Sequence, residues 1–186
     1  SQNATATAPG TYTLVVINPV STCSAQATVV VTQNTTTPVV NSAASNTLTC
    51  LNTSVNASAT TTTSPVSYNW SGTGIISATN ISTITVNQPG TFNYTVTNTT
   101  NGCSTTGSQA VVQNTTSPVV ASAVSGVLNC TLTSVSASAT TTTTPVSYNW
   151  SGTGITSATN ISTITVNQPG TFNYTVTNTS NGCSIG

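Results

Sequence analysis

The chain has 186 residues and contains no Lys, Arg, Asp, Glu or His, whereas roughly a quarter of the residues in an ordinary soluble domain are charged. Without imidazole, carboxylate or amine side chains it lacks nearly every general acid or base that works near neutral pH, so Ser/His/Asp and Cys/His catalysis is excluded. We therefore expect no enzyme and no catalytic residue. Calcium, magnesium and zinc sites need carboxylates, His or clustered Cys, so we expect no metal and no cofactor either.

The missing Lys and Arg side chains also restrict the partners of the chain. Affinity for nucleic acid and for anionic membranes comes largely from these residues, so we expect no nucleic acid partner. Hydrophobic residues make up 35% of the sequence but occur in short alternating runs. None approaches the roughly 20 apolar residues of a spanning helix, so we expect no membrane insertion.

An internal repeat with a period of about 80 residues organises the chain. Residues 64–104 recur as 144–184, and the differences are Ser64/Thr144, Ile76/Thr156 and Thr100/Ser180. We call the offset between these two segments the repeat length. The N-terminal segment follows the same register more loosely. We therefore predict three domains: 1–34 is the C-terminal part of a preceding repeat, 35–114 is a complete repeat, and 115–186 is a repeat that lacks its last strand.

Short runs of Val, Ile, Thr, Tyr and Phe, separated by Gly, Pro and Asn, indicate β-strands throughout. No stretch has helical periodicity over more than a turn. The complete repeat is expected to hold about seven short strands, including those marked in chain order by Val55/Ala57/Ala59, Val66/Tyr68/Trp70, Ile84/Val86, Phe92/Tyr94/Val96 and residues 110–113. Linkers are predicted at 34–38 and 114–118, where Pro favours an extended connection.

The five cysteines allow two periodic disulfide patterns. The favoured pattern joins Cys50 to Cys103 and Cys130 to Cys183, keeps each bond within one repeat, and leaves Cys23 unpaired. The alternative joins Cys23 to Cys50 and Cys103 to Cys130 across the linkers and leaves Cys183 unpaired. Either pattern indicates an oxidising compartment, and hence export from the cell.

Two motifs resemble the PKD-type repeats of Bacteroidota cell-surface and gliding adhesins. The first is Tyr-Asn-Trp-Ser-Gly-Thr-Gly at 68–74, and the second is the late strand 89–98 that runs into Asn-Gly-Cys at 101–103. The resemblance covers almost the whole chain. It implies an all-β fold of tandem immunoglobulin-like (PKD-like) β-sandwich repeats, displayed on the cell surface for adhesion or as spacers. Ser71 and Thr73 stand where such turns often carry Asp, which argues against a calcium role.

Six aromatic residues lie at alternating apolar positions of predicted strands, and we expect them to form the sandwich cores. They are Trp70, Trp150, Tyr68, Tyr148, Phe92 and Phe172. An alternative is that Trp70 and Trp150 form a platform on which a sugar stacks. Thr-rich alternation could likewise offer a flat array to ice or to a crystalline polysaccharide.

The function favoured by these observations is that of a structural, non-catalytic repeat segment of a secreted cell-surface adhesin or extracellular fibre. Without charged residues the strand edges carry no electrostatic guard against pairing. We therefore expect self-association into fibres, or contact with neighbouring repeats of the same chain. The alternative function is a carbohydrate- or ice-binding β-sandwich module, with a surface polysaccharide as its partner.

Overall fold

The computed structural model describes residues 3–186 and contains fourteen β-strands and no helix in that range. Residues 1 and 2 of the predicted 1–34 segment lie outside the described residues. Within 3–186, no helix has the length and apolar content needed to cross a bilayer. The strands form three groups: an N-terminal hairpin (β1–β2), a middle sandwich (β3–β8) and a C-terminal sandwich (β9–β14). The all-β fold is confirmed.

The middle sandwich consists of two three-stranded antiparallel sheets, with strand orders β3-β4-β6 and β5-β7-β8. Its strands alternate buried and exposed residues because one face of each sheet packs on the other. It has six strands where about seven were predicted, and β8 begins at residue 104, ahead of the predicted start at 110. The strands are β3 Val40–Ala44, β4 Val55–Thr61, β5 Val66–Ser71, β6 Thr83–Val86, β7 Gly90–Asn98 and β8 Ser104–Val111.

The core of the middle sandwich lies between the two sheets. Val55, Ala57 and Ala59 of β4 are buried along one face, as their spacing predicts, and Ile84 and Val86 of β6 continue that face. The opposite sheet contributes Trp70, Phe92, Tyr94, Val96 and Val111. Burial of apolar side chains from both sheets is what holds them face to face.

The C-terminal sandwich repeats this arrangement, with sheets β12-β10-β9 and β11-β13-β14. The bounds of β9 to β12 lie one repeat length after those of β3 to β6. The main difference is β14, which has two residues against eight in β8. The strands are β9 Val120–Val124, β10 Val135–Thr141, β11 Val146–Ser151, β12 Thr163–Val166, β13 Asn173–Asn178 and β14 Ser184–Ile185.

The N-terminal hairpin pairs β1 (Gly10–Ile17) with β2 (Ser24–Val31) in antiparallel register. Leu14 and Val16 are 64% and 59% exposed, whereas their counterparts one repeat length later, Tyr94 and Val96, are 7% and 0% exposed. The difference arises because a second sheet covers β7 in the middle sandwich, and no such sheet covers the hairpin in the described part of the chain.

Candidate functional site

The most distinctive chemical feature of the molecule is a disulfide between the two sandwiches. Cys50 of the middle sandwich is bonded to Cys183 of the C-terminal sandwich, 133 residues later, with a Cα–Cα distance of 5.1 Å. The predicted bonds Cys50–Cys103 and Cys130–Cys183 are therefore wrong. The alternative Cys23–Cys50 and Cys103–Cys130 pattern is also wrong.

The strand directions explain why Cys50 does not bond to Cys103. We call the end of a sandwich at which the chain enters its leading end, and the end at which the chain leaves its trailing end. Cys50 precedes Val55, which pairs with Val86 at the trailing end. Cys103 follows Asn98, which pairs with Val66 at the leading end. The seven-residue strand β4 separates these ends by about 20 Å, and a disulfide requires Cα atoms within about 7 Å.

Stacking the sandwiches end to end brings Cys50 and Cys183 together. The chain leaves the middle sandwich beside Leu48, whose main-chain N–H and C=O bond to Val112 and Asn114. It then passes through the linker 114–118 into the leading end of the C-terminal sandwich, where Cys183 lies. The trailing end with Cys50 thus faces the leading end with Cys183. The same geometry places Cys130 at the far end of the C-terminal sandwich.

Asn181 fastens the linker to the turn that carries Cys183. Its Nδ2 donates hydrogen bonds to Oδ1 of Asn114, at 3.1 Å, and to the main-chain oxygen of Thr116, at 2.9 Å. Its Oδ1 accepts a hydrogen bond from the N–H of Cys183, at 3.0 Å. The side chain is 1% exposed, so these bonds satisfy an amide that burial would otherwise penalise.

Leu51 and Gly182 add a steric contact beside the disulfide. Gly182 has φ of 73°, and a Cβ built on it would overlap the side chain of Leu51. The sequence analysis predicted neither the hydrogen bonds of Asn181 nor the contact of Gly182 with Leu51. The detectable signal was the repeated Asn-Gly-Cys at 101–103 and 181–183, which fixes an amide and a glycine at the leading end of each sandwich.

The upstream junction, between the N-terminal hairpin and the middle sandwich, has the same hydrogen bonds from an asparagine side chain to the linker but no disulfide. We call these hydrogen bonds the asparagine clamp. Asn101 Nδ2 donates to Oδ1 of Asn34 at 3.1 Å and to the oxygen of Thr36 at 3.0 Å. Gly102 also has φ of 73°, but no atom lies within 4 Å of a Cβ built there. Cys103 is a partly exposed free thiol, and Cys23 and Cys130 are exposed free thiols.

The tryptophans are buried in the cores and are not available as sugar platforms. Trp70 and Trp150 are 3% and 5% exposed. Each indole Nε1 donates to a main-chain oxygen at 2.9 Å, on Ile81 and Ile161 respectively. Each ring also packs at a tilt on a tyrosine, Tyr94 or Tyr174, with ring centroids 5.1 and 5.2 Å apart. The indole faces therefore lie against protein atoms.

The other four aromatic residues predicted for the cores divide by position. Phe92 is fully buried, whereas Tyr68, Tyr148 and Phe172 are partly buried and pack on the edge of a core. Phe172 lines an apolar groove of about 530 Å³ together with Val124, Leu128 and Val166. In the middle sandwich Val111 of β8 joins the corresponding cluster. The groove is thus the place that a longer last strand occupies in the other sandwich.

The described residues contain no cluster of metal-binding side chains. Among residues 3–186 there is no group of three or more Cys, His, Asp or Glu side chains that could bind a metal. In the same range every buried side-chain nitrogen and oxygen has a hydrogen-bond partner, so burial leaves none of these atoms unsatisfied.

Comparisons with family models and with curated proteins give no match for this chain. Among solved structures, the chain is similar to a C-terminal 282-residue fragment of intimin, determined in complex with the intimin-binding domain of the translocated intimin receptor. The match has 15% identity and a TM-score of 0.37, and it covers 79% of this chain and 62% of that chain. The chain thus spans less than two thirds of the fragment's length.

Proposed function

We propose that the chain is a structural, non-catalytic segment of a secreted cell-surface adhesin or extracellular fibre, built from tandem immunoglobulin-like sandwiches that recur once every repeat length. The observation that carries this proposal is the Cys50–Cys183 bond between consecutive sandwiches. A disulfide across the junction gives the junction a second covalent connection beside the linker. Such a connection resists separation of the two modules, which is the demand placed on a stalk or fibre.

The disulfide also supports an extracellular location. Structural disulfides form and persist in oxidising compartments, whereas the cytosol keeps thiols reduced. A bond that closes 133 residues of chain would be lost in the cytosol, and with it the second connection between the sandwiches. Export to the cell surface keeps this bond intact.

The absence of charge supports association between copies. Each sheet of the middle sandwich has three strands, so its two outer strands each have one edge without a neighbouring strand in that sheet, although hydrogen bonds to residues 74–79 cover part of the outer edges of β5 and β6. Such edges are usually guarded by Lys or by another charged side chain, and this sequence has none. Neighbouring chains therefore meet no electrostatic repulsion, and pairing at these edges would produce fibres or sheets.

Immunogold labelling of intact cells tests the proposed location and role. An antibody against the chain is expected to label filaments or the outer surface of unpermeabilised cells of the organism that encodes it. Pre-immune serum serves as the control for background. Label that appears only after permeabilisation would contradict the proposal.

Sedimentation at increasing protein concentration tests self-association separately. Because no charge repulsion opposes contact, the weight-average mass is expected to rise with concentration even at low salt, where charged proteins repel most strongly. A chain that stays strictly monomeric at high concentration and low salt would refute the self-association, while leaving the surface location to the labelling experiment.

A further inference from the structure

The free cysteines Cys103 and Cys130 occupy the same positions in their sandwiches as the two bonded cysteines. Cys103 lies one repeat length before Cys183, in the turn at the leading end, and Cys130 lies one repeat length after Cys50, in the loop before the second strand. The bond that forms at the central junction uses one cysteine of each kind. Cys103 is therefore equivalent to the late cysteine of the bonded pair, and Cys130 is equivalent to the early cysteine.

The leading end that carries Cys103 is already shaped for a bond. The Asn101 clamp on the linker reproduces that of Asn181, with the same two acceptors displaced by one repeat length. Gly102 has the backbone conformation of Gly182, but the space that Leu51 fills beside Gly182 is empty beside Gly102. None of the described residues would therefore block a side chain equivalent to Leu51 from lying beside Gly102.

The loop at the trailing end that carries Cys130 shares one turn hydrogen bond with the loop that carries Cys50. The N–H of Asn129 donates to the oxygen of Leu132 at 3.0 Å, and the N–H of Thr49 donates to the oxygen of Asn52 at 2.9 Å. Both loops thus present their cysteine in the same local turn, and Cys130 is exposed.

We propose that the central bond is one instance of a general junction rule, in which the early cysteine of each sandwich bonds the late cysteine of the next. The partner of Cys130 is then the leading end of a further copy of the repeat, and the partner of Cys103 is the trailing end of a preceding copy. This inference rests on the proposed tandem organisation. Under this rule each sandwich is bonded to both of its neighbours, by one disulfide at each end.

The bond forms by ordinary thiol–disulfide exchange with a disulfide oxidant such as oxidised glutathione. The Cys130 thiolate attacks the oxidant, forms a mixed disulfide and releases one glutathione thiolate. The late cysteine of the next copy then attacks the Cys130 sulfur and releases the second. The two protein thiols lose two protons and two electrons, and the oxidant is reduced to two thiols.

A lengthened chain tests the rule directly. A second copy of residues 107–186 is placed after Gly186, which stands at the position equivalent to Thr106, and the protein is oxidised with glutathione. The appended copy adds two cysteines, equivalent to Cys130 and Cys183. Because the rule pairs Cys130 with the appended late cysteine, titration with a thiol reagent is expected to find three thiols, as in the original chain. Five thiols would overturn the rule.

A variant separates the rule from a bond within the appended copy, which would also leave three thiols. Cys130→Ser in the lengthened chain is expected to free the appended late cysteine and to give four thiols. Two thiols would show that the appended cysteines pair with each other, and would overturn the rule. Tryptophan fluorescence of the lengthened chain shows whether a failure of the junction rule also means a failure of the proposed function. If the tryptophan of the appended copy is buried while the late cysteine of that copy stays free, only the junction rule is refuted. If that tryptophan is exposed, the tandem organisation is refuted as well.

Discussion

Leu51 lies directly over Gly182, and each residue is adjacent in sequence to one cysteine of the disulfide between the sandwiches. The contact is close enough that a methyl group on residue 182 would overlap the leucine. Gly182→Ala is therefore expected to lower the free energy of unfolding by about 2–4 kcal/mol, of which roughly half comes from the left-handed backbone and the rest from overpacking.

Gly102→Ala is the matched control for this prediction. Gly102 has the same φ of 73° but an open space where Leu51 lies beside Gly182. The Gly102→Ala substitution should lower the free energy of unfolding only by the cost of the left-handed backbone, about 1–2 kcal/mol. Urea denaturation of both variants measures the difference, and equal losses would show that Leu51 does not constrain residue 182.

Removing the disulfide should destabilise the joined sandwiches much more than removing a free thiol. In the chain-entropy model a closed loop of 133 residues is worth about 5 kcal/mol, which is an upper value for the loss in Cys50→Ser. Cys130→Ser changes the equivalent exposed residue and is expected to alter the denaturation midpoint very little. Similar midpoints for the two variants would contradict the assignment of the bond.

Trp70 is expected to behave as a core residue in both stability and binding experiments. Trp70→Phe leaves the main-chain oxygen of Ile81 without its donor, at a cost of about 1–3 kcal/mol. In the unmodified chain, soluble oligosaccharides should leave the tryptophan fluorescence unchanged, because both indoles are buried. A saturable fluorescence change on adding a sugar would favour the carbohydrate-binding alternative.

The stability of the chain should be almost independent of pH between about pH 4.5 and 7. Unfolding free energy varies with pH only where the folded and unfolded states bind different numbers of protons. The chain has no Asp, Glu or His, the side chains that titrate in or near this range. Thermal melts across the range are expected to coincide, and a shift of several degrees in the melting temperature would contradict the absence of a group that titrates on unfolding.

The strands could be predicted from the sequence because their burial follows a two-residue alternation. Val55, Ala57 and Ala59 all lie on the buried face of β4, and Trp70 packs in the core as its position in the pattern predicts. The edge of the core was less predictable. Phe172 is only partly buried, because its exposure depends on the short β14 and not on its own local pattern.

The disulfide could not be predicted because its geometry depends on which end of the sandwich each cysteine occupies. Four strands, β4 to β7, separate Cys50 from Cys103. If each strand ran opposite to the one before it, the chain would return to the trailing end, where Cys50 lies. Residues 72–82 instead carry the chain back along the sandwich without forming a strand, so β5 and β6 run in the same direction. This extra crossing places the two cysteines at opposite ends.

Disulfide mapping of the oxidised chain by mass spectrometry is the most direct test of the Cys50–Cys183 bond between the sandwiches. Chymotrypsin is the suitable protease, because the chain has no Lys or Arg for trypsin but has tyrosines at 68, 94, 148 and 174. The structure predicts that the peptide containing Cys50 is linked to the peptide 175–186, which contains Cys183. Recovery of Cys50 linked to Cys103, with Cys130 linked to Cys183, would contradict the bond between sandwiches and the function built on it.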